Sequence, residues 1–152
     1  MRVLALDVGM KRIGVAFADT SVRIAVPRGA VMVDGNELAE IAKLYRLDKA
    51  DLIVSGNPRN NSGEETRQTE AVHNFIISLQ DYFVNEGQAA PKVIYQDESY
   101  TSVTAEERLN PNRSDKKAGK VDEEAATIIL QDFLERSDLT QIEQELLHEE
   151  NH

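Results

Sequence analysis

Cysteine is absent from the 152 residues of this sequence, which excludes disulfide bonds and metal sites built on thiolates. Long hydrophobic runs are absent too, and no stretch approaches the ~20 apolar residues that a membrane-spanning helix needs. At the N-terminus, a charged side chain (Asp7) follows only four apolar residues, which is too few for the core of a signal peptide. These features predict a cytoplasmic protein with no membrane segment.

Positive charge is scarce, with 17 Lys and Arg against 27 Asp and Glu, and the net charge of -10 disfavours non-specific nucleic-acid binding. The charge is nevertheless uneven. Residues 135–152 carry six acids and one base, whereas Arg108–Lys120 carries five bases and one acid. An isolated basic run is usually a solvated loop. This one lies between two candidate catalytic segments, so we also consider it as a nucleic-acid contact.

The chain length suits one domain, and hydrophobic patterning predicts strands and helices in the order β-β-β-α-β-α-β-α-α. A meander followed by strands linked through helices predicts fold class α/β, with a five-stranded mixed sheet and helices on both faces. We expect the domain to cover residues 1–135 and an acidic tail, either a loose helix or disordered, to cover residues 136–152. The predicted strands are Val3–Val8, Ile13–Ala18, a strand within Ile24–Val33, Asp51–Ser55 and Val93–Gln96; the predicted helices contain Leu38–Tyr45, Val72–Phe83, Thr101–Leu109 and Val121–Leu134.

Two acids stand at predicted strand ends. Asp7 ends the first strand in phase with the apolar Val3 and Ala5, and Glu98 follows the fifth strand. If these strands run parallel, both acids emerge at the edge of the sheet where open α/β sheets place their sites. Taken alone, Asp7 is equally well explained as a strand-end acid bonded to the next turn, and Glu98 as a solvated loop acid.

A third acid, Asp122, lies on the apolar face of the last core helix. A carboxylate on an inward face is costly unless it is paired or binds a cation. The alternative is an ordinary acid in the first turn of a helix, where free N–H groups attract anions. The apolar residues of this face are Ala125, Ala126, Ile129 and Phe133.

Together the three carboxylates predict a metal site, because hard cations such as Mg²⁺ or Mn²⁺ prefer oxygen ligands. Two such ions roughly 4 Å apart can promote phosphodiester hydrolysis. If the fourth strand lies between the first and the fifth, those two strands are about 9–10 Å apart. Glu98 is long enough to lean across this gap, whereas an Asp would not reach.

Other residues are candidate substrate contacts or sites where another segment approaches closely. Gly14 lacks a side chain inside a strand, which predicts that another backbone comes close to it. The turn Gly56-Asn57-Pro58 is expected at the same edge of the sheet as Asp7. Solvation explains each basic residue equally well. The candidate substrate contacts are Lys11, Arg12, Asn57, Arg59, Arg67, Lys116, Lys117 and Lys120.

The motifs resemble those of the YqgF/RuvX family of pre-16S rRNA nucleases, earlier described as Holliday junction resolvases. The segment from Asp7 to Ala16 is similar to the opening motif of that family, and Asp97-Glu98 to its Asp-Glu-Arg motif. The Gly56-Asn57-Pro58 turn looks like its Gly-Leu-Pro loop, and the stretch from Lys116 to Gln131 its last basic loop and helix. The match covers about residues 1–135 in order.

This resemblance implies an RNase H-like fold, a divalent-metal nuclease and a role in trimming the 5′ end of 16S rRNA precursor. It implies catalytic roles for Asp7, Glu98 and Asp122. Two residues depart from the family pattern: Ser99 replaces the usual Arg, and Asn57 the usual Leu. The first departure removes a possible partner for a phosphate or carboxylate.

The sequence leaves several interpretations of substrate, oligomeric state and function open. Branched DNA is the alternative substrate to pre-16S rRNA, and the protein is either a monomer or a homodimer. Phosphotransferases and ATPases of the actin and sugar-kinase type also begin with an Asp-x-Gly hairpin, but they need two such domains, and this chain has room for one. A non-catalytic nucleic-acid-binding module on the same fold is a further alternative.

Overall fold

The structure is a computed structural model that describes residues 1–58, 67–98 and 115–150, without the side chains of residues 115–120 and 149–150. The predicted helix at Thr101–Leu109 lies outside these residues. The strands are β1 (Arg2–Val8), β2 (Arg12–Asp19), β3 (Val26–Met32), β4 (Leu52–Asn57) and β5 (Val93–Asp97). The helices of the described ranges are α1 (Glu37–Leu47), α2 (Arg67–Asn85), α3 (Asp115–Leu134) and α4 (Leu139–Glu150).

The five strands form one mixed sheet in the order β3-β2-β1-β4-β5. The first three strands are antiparallel neighbours, whereas β4 runs parallel to both β1 and β5. The predicted mixed sheet is therefore confirmed, and the fourth strand lies between the first and the fifth. Because β1, β4 and β5 are parallel, their carboxyl ends meet at one edge of the sheet.

Side chains of β1 alternate between two hydrophobic cores, because helices cover both faces of the sheet. Val3 and Ala5 pack with α3 and α4, and Leu4 and Leu6 pack with α1 and α2. All four are fully buried. Burial on both faces of the sheet explains why β1 is a continuous apolar run. Because Asp7 is in phase with Val3 and Ala5, it belongs to the α3 face.

The edge strand β3 is joined to α1 by a salt bridge. Pro27, which removes a backbone donor, lies on this exposed strand, as expected for an edge position. Arg28 next to it pairs with the buried carboxylate of Asp48, which follows the C-terminus of α1, and this hydrogen bond raises the pKa of Arg28. The ion pair therefore ties the outer strand of the meander to the helix that follows it.

Helix α3 begins earlier than the sequence predicts. Apolar periodicity starts at Val121, but the helix starts at Asp115 and includes Lys116, Lys117 and Lys120. Lysine and alanine are good helix formers, and the single Gly119 costs only about 1 kcal/mol. Half of the predicted basic loop is therefore the first turns of α3.

The acidic segment after residue 135 forms the ordered helix α4. Leu139 is 1% exposed within the core of the α3 face, and Ile142 and Leu146 pack against that core. The Lys92 ammonium also donates a hydrogen bond of 3.4 Å to the Leu146 carbonyl. The alternative of a disordered tail is therefore wrong, because three apolar residues at helical spacing suffice to dock the helix. No helix in the described ranges is long and apolar enough to cross a membrane.

Candidate active site

Three neighbouring strand positions on the α3 face define the candidate site. Asp7 of β1 pairs with Gly14 of β2 on one side. On the other side, Gly56 of β4 lies one residue beyond the Leu6–Ser55 pair. Adjacent strands are about 4.8 Å apart, so the Asp7 carboxylate rises between two positions that have no side chain.

Gly14 lets the backbone of α3 lie directly on β2. A methyl group at Gly14 would stand 1.8 Å from the carbonyl oxygen of Asp122 and 3.0 Å from the amide nitrogen of Glu123. Only glycine accepts such an approach. The close backbone contact predicted for Gly14 is therefore confirmed, and it places Asp122 on the side of Asp7 nearest to β2.

Gly56 accommodates the side chain of Glu98 in the same way. A methyl group at Gly56 would stand 2.7 Å from Oε1 of Glu98 and 2.7 Å from the terminal carbon of Ile129. The Glu98 side chain therefore leans from the end of β5 over β4, towards β1. Its length spans part of the gap between the first and fifth strands, as the sequence predicts.

The three predicted acids thus come to the same face and edge of the sheet, but they differ in surroundings. Asp7 is only 6% exposed. The Asp122 side chain is 18% exposed, and its Oδ2 accepts a hydrogen bond of 2.9 Å from Nε of Arg12, the first residue of β2. Arg12, predicted as a phosphate contact, here forms an ion pair with a predicted metal ligand.

The described residues contain no group of three acidic or histidine side chains close enough to hold a metal ion together. The kind of donor nevertheless fits, because carboxylate oxygens are the ligands that hard divalent cations prefer. The Glu98 side chain lies over Gly56, the strand position next to Asp7, and Asp122 directs one oxygen to a cationic guanidinium. The metal-binding roles of these acids stay predictions.

The predicted substrate contacts fall into three groups. Lys11 and Arg67 are exposed, the first at the β1–β2 turn and the second at the start of α2. Arg59 and the side chains of the three lysines at 116, 117 and 120 lie outside the description. Asn57 is only 5% exposed, and its amide bonds within the protein, so in this arrangement it supports the fold rather than offering a free group to a phosphate.

A polar cluster on the opposite face of the sheet was not singled out from the sequence. The Asn57 amide donates to Oδ1 of Asp97 at 3.1 Å, and its oxygen lies 3.2 Å from Nε2 of His73 on α2. The His73 ring also contacts the ring of Tyr95, with centroids 4.5 Å apart. The available signal was weak: a histidine flanking the buried stripe of α2, which is more often a surface residue.

The contact between Gly56 and Glu98 leads to a prediction about Gly56→Ala. The added methyl group meets side-chain atoms and no backbone among its nearest contacts, so the free energy of unfolding should fall by no more than about 1–2 kcal/mol. Glu98 must move, however, and we expect nucleic-acid cleavage to fall by about tenfold or more. Cleavage rates and thermal unfolding of the two proteins measure both effects.

Ser55→Ala is the matched control, because Ser55 is buried beside Gly56 but belongs to the opposite face of β4. It should lose about 1 kcal/mol with its hydrogen bond to the Gly56 carbonyl and keep its cleavage rate. Wild-type cleavage by Gly56→Ala would show that the position of Glu98 does not matter.

The sequence of this chain is similar to that of one protein family over most of its length. The family model described as "RuvX: Holliday junction resolvase" matches residues 1–136, so the match ends just before α4. Relatives carrying the name "Putative pre-16S rRNA nuclease" are 33% identical over 135 residues in Sulfurihydrogenibium sp. and 37% identical over 138 residues in Chloroflexus aurantiacus. These alignments cover 89% and 88% of this chain, and 90% and 86% of the relatives.

Solved structures share the fold at much lower sequence identity. Fowlpox virus resolvase, solved with Holliday junction DNA, aligns with a TM-score of 0.50 and 12% identity over 90% of this chain and 100% of its own. RuvC of T. thermophilus, also solved with a Holliday junction, aligns with a TM-score of 0.50 and 13% identity over 86% of this chain and 91% of its own. The architecture is therefore RNase H-like, as the motifs imply.

Proposed function

This chain belongs to the RuvX family, and on that premise we propose that it is a divalent-metal-dependent nuclease that matures the 5′ end of 16S rRNA precursor in the cytoplasm. One observation carries the proposal. Asp7 stands in a row between two glycine positions, and each glycine admits a segment that carries another acid. The two glycines thus allow carboxylates from three distant parts of the sequence to come to one edge of the sheet.

The proposed ligands are the carboxylates of Asp7, Glu98 and Asp122. When bound, a pair of Mg²⁺ or Mn²⁺ ions would make a water more acidic and stabilise negative charge on the leaving oxygen. Asp7 is suited to the central place, because it lies between Gly14, which is covered by α3, and Gly56, which is covered by the Glu98 side chain. Glu98 and Asp122 approach that place from the sides of β4 and β2.

Arg12 has a defined part in this proposal. Its guanidinium neutralises Asp122, a role that a metal ion would take over on binding. Arg12 could then turn to a substrate phosphate, for which its planar fork of donors is well suited. Cation binding and substrate binding would thus be linked through one side chain.

The lysines of α3 supply the second argument for a nucleic-acid substrate. Lys116 and Lys117 lie in the first turn of α3. Positive charge there opposes the helix dipole, so these lysines do not stabilise the helix end. A phosphate backbone near the same helix end would be attracted by the positive charge of the lysines.

A cleavage assay tests the proposed function. We expect the protein with Mn²⁺ to cut an RNA that spans the mature 5′ end of 16S rRNA, and EDTA to stop the reaction. An unrelated structured RNA of equal length is the control for specificity. Accumulation of 16S precursor on depletion of the protein would be the matching result in cells. Normal precursor levels would contradict the proposed role.

Resolution of branched DNA is the second candidate function, because the matching family model carries that description. A four-way DNA junction in the same assay separates the two, since the protein should cut one substrate much faster. Binding of either substrate without cleavage, at every Mn²⁺ concentration, would indicate a non-catalytic module on the same fold.

A further inference from the structure

The polar cluster of Asn57, His73 and Asp97 lies at the ends of β4 and β5, on the face away from Asp7. Asn57 and Asp97 are direct neighbours in the parallel ladder, and their side chains are joined at 3.1 Å. A carboxylate only accepts hydrogen bonds, so the Asn57 NH₂ group faces Asp97 and its carbonyl oxygen faces His73. Nε2 of His73 therefore carries the hydrogen of the 3.2 Å bond to Asn57.

These two hydrogen bonds form a chain, called here the relay, that runs from His73 through Asn57 to Asp97. His73 donates to Asn57, and Asn57 donates to Asp97. The Tyr95 ring of β5 contacts the histidine ring with centroids 4.5 Å apart, and partial burial raises the pKa of the Tyr95 phenol. Through His73, helix α2 is thus joined to Asn57 at the end of β4 and to Tyr95 of β5.

The relay ends beside Glu98. Asp97 precedes Glu98 in the chain, and the Glu98 amide donates to the Asn57 carbonyl oxygen at 3.4 Å. Asn57 therefore holds the end of β5 through both its side chain and its backbone. Glu98 leaves β5 at this point and extends over Gly56 to the opposite face. Rotation of the Asp97–Glu98 peptide would swing the Glu98 carboxylate off Gly56.

We propose that Asn57 and His73 are positioning residues, which lock the end of β5 so that the Glu98 carboxylate stays over Gly56, ready for a metal ion. The proposal rests on the proposed function. A leucine at position 57 would offer no hydrogen bond to Asp97 or His73, so the polar contacts at this strand end depend on Asn57.

The experiment measures Mn²⁺ affinity of the full chain by calorimetry. Asn57→Leu keeps a side chain of similar size but breaks the relay at its centre, and we expect Mn²⁺ binding to weaken by about tenfold or more. His73→Phe keeps a ring against Tyr95 but removes the donor, and it should weaken binding in the same direction. His73→Gln can still donate to Asn57 and should restore most of the affinity.

A double-mutant cycle separates positioning from general damage. In a Glu98→Gln background the relay has no carboxylate to position, so Asn57→Leu should cause no further loss of Mn²⁺ affinity. Hydrogen exchange at the Glu98 amide gives a readout without metal, and exchange should be faster in Asn57→Leu and His73→Phe than in the wild type.

Three results would overturn the proposal. They are wild-type affinity in both Asn57→Leu and His73→Phe, an equal loss in the Glu98→Gln background, and unchanged exchange at the Glu98 amide. If Asn57→Leu does not fold, His73→Phe and His73→Gln decide the matter, because His73 is only half-buried. If the wild type shows no Glu98-dependent Mn²⁺ binding, the proposed function fails, and amide exchange still tests the relay.

Discussion

Asp7→Asn should abolish cleavage while the protein remains folded. Asparagine has nearly the same shape as aspartate but lacks its charge, so the central ligand of the proposed metal pair is lost. We expect kcat/KM to fall by at least about a thousandfold, equivalent to ~4 kcal/mol of transition-state stabilisation. In EDTA, the free energy of unfolding should change by no more than about 1 kcal/mol.

Stabilisation by metal provides the second measurement on this variant. A ligand present at 100 times its Kd raises the unfolding free energy by about 2.7 kcal/mol. Mn²⁺ should therefore raise the melting temperature of the wild type but not of Asp7→Asn. Asp19→Asn is the matched control, because Asp19 ends β2 at the opposite edge of the sheet and bonds to Ser21. Cleavage at the wild-type rate by Asp7→Asn would contradict the proposed metal-dependent mechanism.

Gly14→Ala should have the largest effect on stability. Its methyl group would stand 1.8 Å from the Asp122 carbonyl oxygen, and this backbone atom can move only if α3 moves. Overpacking typically costs 1–3 kcal/mol, and we expect a cost of about 3 kcal/mol or more here. For a chain of this size the melting temperature should fall by about 10 °C. Cleavage should fall with it, because Asp122 moves with the helix.

Gly35→Ala is the control for Gly14→Ala. Gly35 has a positive φ of 98° and nothing within 4 Å of an added methyl group, so alanine there meets backbone strain but no clash. This strain should cost about 1 kcal/mol. If Gly14→Ala is no less stable than Gly35→Ala in thermal denaturation, α3 does not lie on β2 as closely as described.

The mixed sheet with helices on both faces was predictable from the sequence, whereas the order of its strands was not. A continuous apolar run such as Val3–Val8 is typical of a strand covered on both faces, and helical spacing after Leu52–Asn57 predicts a crossover. The start of α3 was not predictable in this way, because residues 115–120 have no apolar periodicity. The docking of α4 was equally hidden, since its apolar residues are few among many acids.

The candidate site was predictable only in part. Asp7 could be placed from its phase along the strand, and the reach of Glu98 from its length. The pairing of Arg12 with Asp122 joins residues 110 positions apart and depends on where α3 crosses β2. His73 gave almost no signal, because a single histidine beside an apolar stripe is ordinary until Asn57 and Asp97 are brought to it.

By itself, the sequence determined the fold class, the sheet edge where the acids emerge and the close approach of another backbone at Gly14. These follow from local periodicity and from the absence of a side chain, both of which are properties of short segments. The tertiary structure alone decided which partner each polar side chain finds: Arg12 for Asp122, and His73 with Asp97 for Asn57. Such contacts join segments that are distant in the sequence. They form only when the helices pack on the sheet and bring buried polar groups within hydrogen-bonding distance.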